Sequence, residues 1–296
     1  MYPDRMRAMP GVTALRRVRV ATIAALLGVC VATGWSAQDQ PPGRPGWPCA
    51  GRPDPVYVRT SEATGGQLFM FHPSEVADAG TLLAGSFTHK DTLFRVAGPL
   101  EEGLHEYPVT IDPSVESALF SVSIQCLQVV EIERPSGTLL QASDDGVDYH
   151  QFEAGRIVVL PRPEAGTWKI RASGRGLAFV VVQARTSMSL GRVELLGRGN
   201  DGADTLVPVF QPGPPRSRQA VAIAVSGDTR DVEARLVSAR FQELGPISLV
   251  ADEQSEGPSW RGAFVVPAVP FRIVVSGTTG GHPFVRVHAP LFEPAR

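Results

Sequence analysis

The sequence predicts an all-β protein built as two tandem β-sandwiches. Three observations carry this. Glycine and proline, 30 and 26 of 296 residues, punctuate the chain at intervals that suit short strands better than long helices. Some segments alternate with the period of two that a strand imposes: Trp168, Ile170 and Ala172 are interleaved with Thr167, Lys169 and Arg171. Others, such as Leu177–Ala184, are almost wholly apolar, as strands covered on both faces are.

Length allows two domains of ordinary size and a tail. A composition of 43% hydrophobic and 20% charged residues argues against disorder, and a net charge of −2 provides no field to attract nucleic acid or an anionic membrane. The single asparagine, Asn200, precedes Asp-Gly, so there is no N-glycosylation sequon.

Residues 1–37 read as a signal peptide. Arg5, Arg7, Arg16, Arg17 and Arg19 precede the apolar run Val20–Ala32, and cleavage after Ala37 is expected. Export to a bacterial envelope or exterior follows, with an N-terminal membrane anchor as the alternative. Residues 38–55 form a Pro/Gly-rich linker. It carries Cys49; the other cysteine of the mature chain is Cys126, sharing a strand face with Phe120, Val122 and Ile124. Cys126 is then either a buried free thiol or the partner of Cys49 in a disulfide, which an oxidising compartment permits.

Residues 56–85 are expected to supply a strand, Gln67–Phe71, and a short helix capped by Ser74. Residues 86–187 hold the first sandwich, with candidate strands at Leu93–Ala97, Leu104–Val109, Ala118–Glu133, Thr138–Ala142, Tyr149–Phe152 and Arg156–Leu160. It closes with a hairpin over Glu164–Arg185, its turn at Ser173-Gly174-Arg175-Gly176. Residues 188–296 give a second sandwich, in which Val221, Ile223 and Val225 share one strand face and Phe271, Ile273 and Val275 another. Gly277–Gly281 reads as a hairpin turn, since it lacks the lysine and helix of a phosphate loop.

Three phrases carry a resemblance. Ala63-Thr64-Gly65-Gly66 followed by Phe69 resembles the end of von Willebrand factor type A domains. Asp112-Pro113-Ser114-Val115-Glu116 fails the Asp-x-Ser-x-Ser metal pattern of those domains at its last position, so no metal site is carried over. Arg134-Pro135-Ser136-Gly137 and Pro163–Ile170 resemble the galactose-binding-like module that follows such a domain in hemicentin-like extracellular proteins, and also jelly-roll domains appended to secreted proteases. Pro267–Gly277 is loosely similar to the end of the immunoglobulin-like module that comes next. The resemblance implies a galactose-binding-like jelly roll and then an immunoglobulin-like sandwich. It describes shape and does not by itself imply sugar binding.

The chain shows no GxSxG elbow and no HExxH pair, and its six histidines are scattered singly. Asp144, Asp145 and Asp148 form the one dense group of hard oxygen ligands that could hold a structural Ca²⁺; the competing reading is a solvated turn. Asn200, Asp201 and Asp204 form a weaker cluster, Glu101, Glu102 and Glu106 are the dense loop carboxylates, and Tyr107 and Tyr149 are candidate sugar platforms. No catalytic residue and no cofactor is assigned. The reading that follows is a secreted, non-catalytic adhesion or binding protein that recognises an extracellular protein or glycan through sandwich loops. It has no nucleic-acid partner and no membrane contact after signal removal. An accessory module of a secreted hydrolase system and a purely structural envelope protein are the alternatives.

Overall fold

The computed structural model describes residues 49, 52–71, 75, 88–198, 206–253, 255 and 257–296. The expected signal peptide, most of the linker, the helix from Ser74 and the Asn200, Asp201 and Asp204 cluster lie outside the described residues.

Helix α1, Pro55–Thr64, opens where Asp54 Oδ1 accepts from the Val56 amide at 2.7 Å, with proline in the first turn. It ends at Gly65, whose φ of 73° is the left-handed conformation of a helix C-cap. The chain then runs extended through Leu68–Phe71. This corrects the strand expected at Gln67–Phe71: the segment joins no sheet among the described residues. Its side chains instead cover one. Phe69 and Phe71 pack on Leu119, Phe152 and Ile157, while Leu68 and Met70 pack on Ala97, Ala154 and Phe179. This strip covers the outer face of the first sheet, which explains the apolar run after Leu177.

The first module contains β1 (Asp91–Leu100), β2 (Leu104–Ile111), β3 (Val115–Glu133), β4 (Asp148–Phe152), β5 (Gly155–Pro161) and β6 (Gly166–Thr186). The hairpin expected over Glu164–Arg185 is a correction: β6 is one strand of 21 residues. It runs antiparallel to β3 from Val115 opposite Thr186 to Glu133 opposite Lys169, with irregularities at Ile124/Cys126 and Leu127/Val129. Gly174 lies at these bulges. A Cβ there would stand 2.5 Å from the Cys126 carbonyl oxygen. Glycine relieves the backbone at a bulge as it does at a turn, and β3 running alongside makes this a bulge. The strand pair nonetheless folds over on itself. Phe120 sits opposite Val182, yet its ring lies 5.5 Å from that of Trp168. A straight strand would hold positions 168 and 182 about 46 Å apart. The curl closes a core in which Trp168, Ile170 and Ala172 meet Val180, Val182 and Ala184.

The second module contains β7 (Leu190–Arg198), β8 (Leu206–Val209), β9 (Arg218–Val225), β10 (Thr229–Ser238), β11 (Glu243–Ala251), β12 (Ser259–Val265), β13 (Phe271–Thr279) and β14 (His282–Val287). Its two layers are β14-β13-β10-β11 and β11-β12-β9-β7-β8, with β11 pairing β10 through its first half and β12 through its second. Val221, Ile223 and Val225 meet Phe271, Ile273 and Val275 in a second core, as the alternation predicts. Gly280 and Gly281, with φ of 57° and 81°, make the two-residue turn between β13 and β14.

The protein is thus all-β with two sandwich cores, but its sheets are not separate. Thr92 of β1 pairs with Val287 of β14, so one hydrogen-bonded path runs through both modules. Asp91 reinforces the short link between them: Oδ2 accepts from Thr186 Oγ1 at 2.5 Å and Oδ1 from the Leu190 amide at 3.1 Å.

Candidate functional site

The seam between the modules carries the buried charge of the molecule. Arg95, Arg272 and Arg286 are each 0% exposed. Glu62 of α1 reaches both sides: Oε1 accepts from Arg95 at 2.7 Å and Oε2 from Arg272. Arg95 also donates to the carbonyls of Ser61, Gly65 and Gly66, which closes the C-terminal end of α1 where the helix dipole favours a cation. On the other side Arg286 donates to Asp112 Oδ2 at 2.6 Å, to Ser114 Oγ and to the Met188 carbonyl. Burial opposes ionisation of Asp112, but its bonds to Arg286 and Ser114 prevail and hold the carboxyl below its ordinary range. These groups sit in ion pairs that join the modules.

A cleft of about 320 Å³ opens on the same seam. Val96, Leu100 and Ala178 give it an apolar floor. Glu101, His105 and Tyr107 from the first module face Arg240 and Gln242 from the second. The second wall is the tight turn between β10 and β11. The Ser238 amide donates to the Gln242 carbonyl at 2.8 Å and the Phe241 amide to the Ser238 carbonyl at 2.9 Å. Phe241 has φ 63°, a conformation that costs a bulky residue energy and persists where surroundings impose it. The hairpin turn places Phe241 in this conformation, and the first module packs on it: the Phe241 ring lies 4.7 Å from Phe94, and the Ala97 amide donates to the Ala239 carbonyl at 3.0 Å. On the facing wall His105 stacks on Tyr107 at 6.4 Å and donates Nε2–H to the Glu101 carbonyl at 3.0 Å. Burial raises the Tyr107 phenol above its ordinary pKa.

A second groove, about 340 Å³, lies across the outer face of β9 over Ala222 and Ala224. Its charges are already matched: Arg261 pairs with Asp252 at 2.8 Å and Arg192 with Glu194 at 3.5 Å.

The candidates from sequence fall as follows. Cys49 and Cys126, 77 residues apart, form a disulfide that ties the segment before α1 to the β3 bulge. Asp144 accepts from the Gln141 amide and from Arg134 Nη2, both at 2.9 Å, and these bonds, the amide first, hold its carboxyl below the usual range. Asp148 pairs with His150 at 2.9 Å, and Asp145 is exposed. Among the described residues no group of three or more His, Cys, Asp or Glu side chains converges in a way that would hold a metal ion. Glu106 joins Arg171, Lys169 and Glu133 in a surface network, away from the role of a loop carboxylate beside Glu101. Tyr149 and Tyr107 both pack against the first core, and Tyr107 also lines the cleft.

Sequence reasoning missed Glu62, Arg95, Arg272, Asp112, Arg286 and the Arg240–Gln242 wall. For the arginines a signal existed. Each stands inside an apolar strand run, Leu93–Ala97, Phe271–Val275 or Phe284–Val287, where a charge must be buried with a partner. No sequence signal marks the positive φ of Phe241.

The chain matches no protein-family model and no curated protein. Among solved structures it is similar to a Bacillus licheniformis lipase, BlEst2, in propeptide form, at 15% identity and TM-score 0.29 over 66% of this chain. The chain spans 40% of the length of that structure. It is also similar to titin domains Z1Z2 in complex with telethonin, at 14% identity and TM-score 0.20, covering 67% of this chain and 100% of that one. The titin immunoglobulin tandem A164-A165 matches at 8% identity and TM-score 0.19, covering 69% of this chain and 98% of that one. At these TM-scores none of them bears on function.

Proposed function

We propose that this is an exported, non-catalytic binding protein of a bacterial envelope or exterior, of hemicentin-like module order, which recognises an extracellular protein or glycan. The observation that carries the reading is the seam cleft. It is concave, has an apolar floor, and presents hydrogen-bonding groups from two modules that a Phe at positive φ holds in place. The buried charges nearby are engaged in holding the modules together, whereas Glu101 and Arg240 of the cleft make no ion pair among the described residues. The Arg-rich start and the apolar run after it support export. The Cys49–Cys126 disulfide fits an oxidising compartment.

The test has two arms. Expression in a bacterial host followed by fractionation and N-terminal sequencing is expected to find the chain outside the cytoplasm, beginning at Gln38. Immobilised protein probed with arrays of extracellular matrix fragments and glycans is expected to retain a ligand without altering it. Turnover of ester, peptide or glycoside substrates by the purified chain, lost on substitution of a cleft residue, contradicts the non-catalytic reading.

A further inference from the structure

We propose that the seam cleft receives an extended peptide segment, its apolar side chain on the Val96–Leu100–Ala178 floor, its basic group toward Glu101 and its acidic group toward Arg240. This rests on the binding-protein reading and names the ligand class.

Three features of the site select a peptide. The first is charge. Glu101 and Arg240 stand on walls contributed by different modules, and neither makes an ion pair within the protein among the described residues. Arg240 has a defined place: its stem lies over Gly98, where an added Cβ would meet Arg240 Nε at 3.7 Å and Cγ at 3.8 Å. A ligand bearing one cation and one anion is matched by these walls; a neutral ligand gains nothing from either charge.

The second is backbone. Gly98, Pro99 and Leu100 pair with β6 on one side, opposite Ala178, Leu177 and Gly176, and with no described strand on the other. The direction of the open edge follows from parity. The Ala97 amide points outward, to the Ala239 carbonyl, so the main-chain groups of Pro99, two residues on, point the same way. Proline has no N–H, which leaves its carbonyl as a main-chain acceptor at the cleft. An extended peptide has the amide to donate to it, as in strand addition at a sheet edge.

The third is aromatic geometry. A pyranose ring needs an open ring face to lie on. Tyr107 has its rings' neighbours already in place: His105 stacks on it at 6.4 Å with planes 14° apart, and Phe94 lies 5.8 Å away. The Tyr107 hydroxyl makes no hydrogen bond to the protein among the described residues and is available to a ligand amide or carbonyl.

The probe is acetyl-Lys-Leu-Asp-amide, titrated into the purified full chain with amide chemical shifts as the readout. Shifts confined to Gly98, Leu100, Tyr107, Arg240 and Gln242 are expected. Glu101→Gln and Arg240→Gln should each weaken binding about fivefold, the scale of an exposed ion pair. Acetyl-Gln-Leu-Asn-amide should bind more weakly than the charged peptide by both steps together. Gln242→Trp, a change at an exposed position that fills the cleft, should abolish the shifts while the circular dichroism spectrum is kept. Glu101→Lys makes both walls cationic and should turn the preference to acetyl-Asp-Leu-Asp-amide, which does not depend on the tryptophan variant folding. The assignment is overturned by silence at about 10 mM peptide, beyond the millimolar range of the weakest specific ligands. Shifts that map elsewhere, an unchanged preference in Glu101→Lys, or cleft shifts caused by neutral hexoses instead also overturn it. If the chain retains an extracellular ligand equally well with and without Gln242→Trp, the cleft assignment fails and the binding-protein reading stands. If the probe is cleaved, the non-catalytic reading fails.

Discussion

Replacing Glu62 with alanine leaves two buried guanidinium groups without their carboxylate. Arg95 and Arg272 are both 0% exposed at the side chain, against 10% for Glu62. The two lose unequally. Arg95 keeps the carbonyls of Ser61, Gly65 and Gly66 as acceptors. Arg272 keeps the Ala289 carbonyl at 2.9 Å, and its Nη1 has no hydrogen-bond partner among the described residues. Burial already brings Arg272 down to about 10, partly offset by Glu62, so it is the group that most needs the carboxylate. Removing one member of a buried pair costs roughly 3–5 kcal/mol because a charge stays buried and uncompensated. For a chain of this size that corresponds to a fall in Tm of about 6–20 °C, at 2–4 °C per kcal/mol. Thermal and urea unfolding at pH 7, followed by circular dichroism, measure it. The Glu62→Leu, Arg95→Met, Arg272→Met triple variant should recover part of the loss: it removes the uncompensated charges, but leaves the carbonyls of Ser61, Gly65, Gly66 and Ala289 without the donors they have now. A Glu62→Ala protein melting within about 3 °C of the parent, the equivalent of a surface pair, refutes the reasoning.

Three further outcomes follow from the same structure. His288, packed against Phe292 at 5.1 Å, is brought down to about 4 by burial first and Arg272 second. Its folded pKa lies below the unfolded value near 6.5, so the unfolded chain takes up the proton first. Stability is full above pH 6.5 and falls toward pH 4 by up to about 3 kcal/mol, and His288→Asn should flatten that part of a pH series of urea midpoints. Gly174→Ala sets a Cβ 2.5 Å from the Cys126 carbonyl oxygen at a φ of 158°, and a loss of about 2–3 kcal/mol of unfolding free energy, read from the shift in urea midpoint, is expected; an unchanged midpoint removes the bulge argument. Reducing the Cys49–Cys126 disulfide opens a closure of 77 residues, for which loop entropy gives about 4.5 kcal/mol, to be read as the difference between Tm with and without reductant.

The period-two faces were legible because burial on one side of a strand acts residue by residue. Trp168, Ile170 and Ala172, then Val221, Ile223 and Val225, are all buried as their alternation says. The hairpin at Ser173–Gly176 was misread for a definable reason. Gly174 and Gly176 announce positive φ, at 158° and 89°, but a turn and a bulge make the same local demand. Only the partner decides between them, and β3 is some fifty residues away in sequence. Thr138–Ala142 shows the opposite error: it reads as a strand, yet contributes a single bridge, Leu139 to Glu133.

The seam was the least legible part because each of its contacts joins segments far apart in the chain. Glu62 and Arg272 are 210 positions apart, and Asp112 and Arg286 are 174. A pattern confined to one segment cannot name such a partner. It can name the need for one: an arginine at an inward position of an apolar strand is unstable there without a carboxylate. Three such arginines in this chain imply that inward-facing acids had to be sought among the polar residues next to turns and helix ends, where Glu62 and Asp112 are found. The cleft follows from the same fusion. Because Glu62 of α1 and the paired β1 and β14 join the modules, the two backbone walls that carry Glu101 and Arg240 are tied to each other, which lowers the cost of bringing a site divided between two sandwiches together.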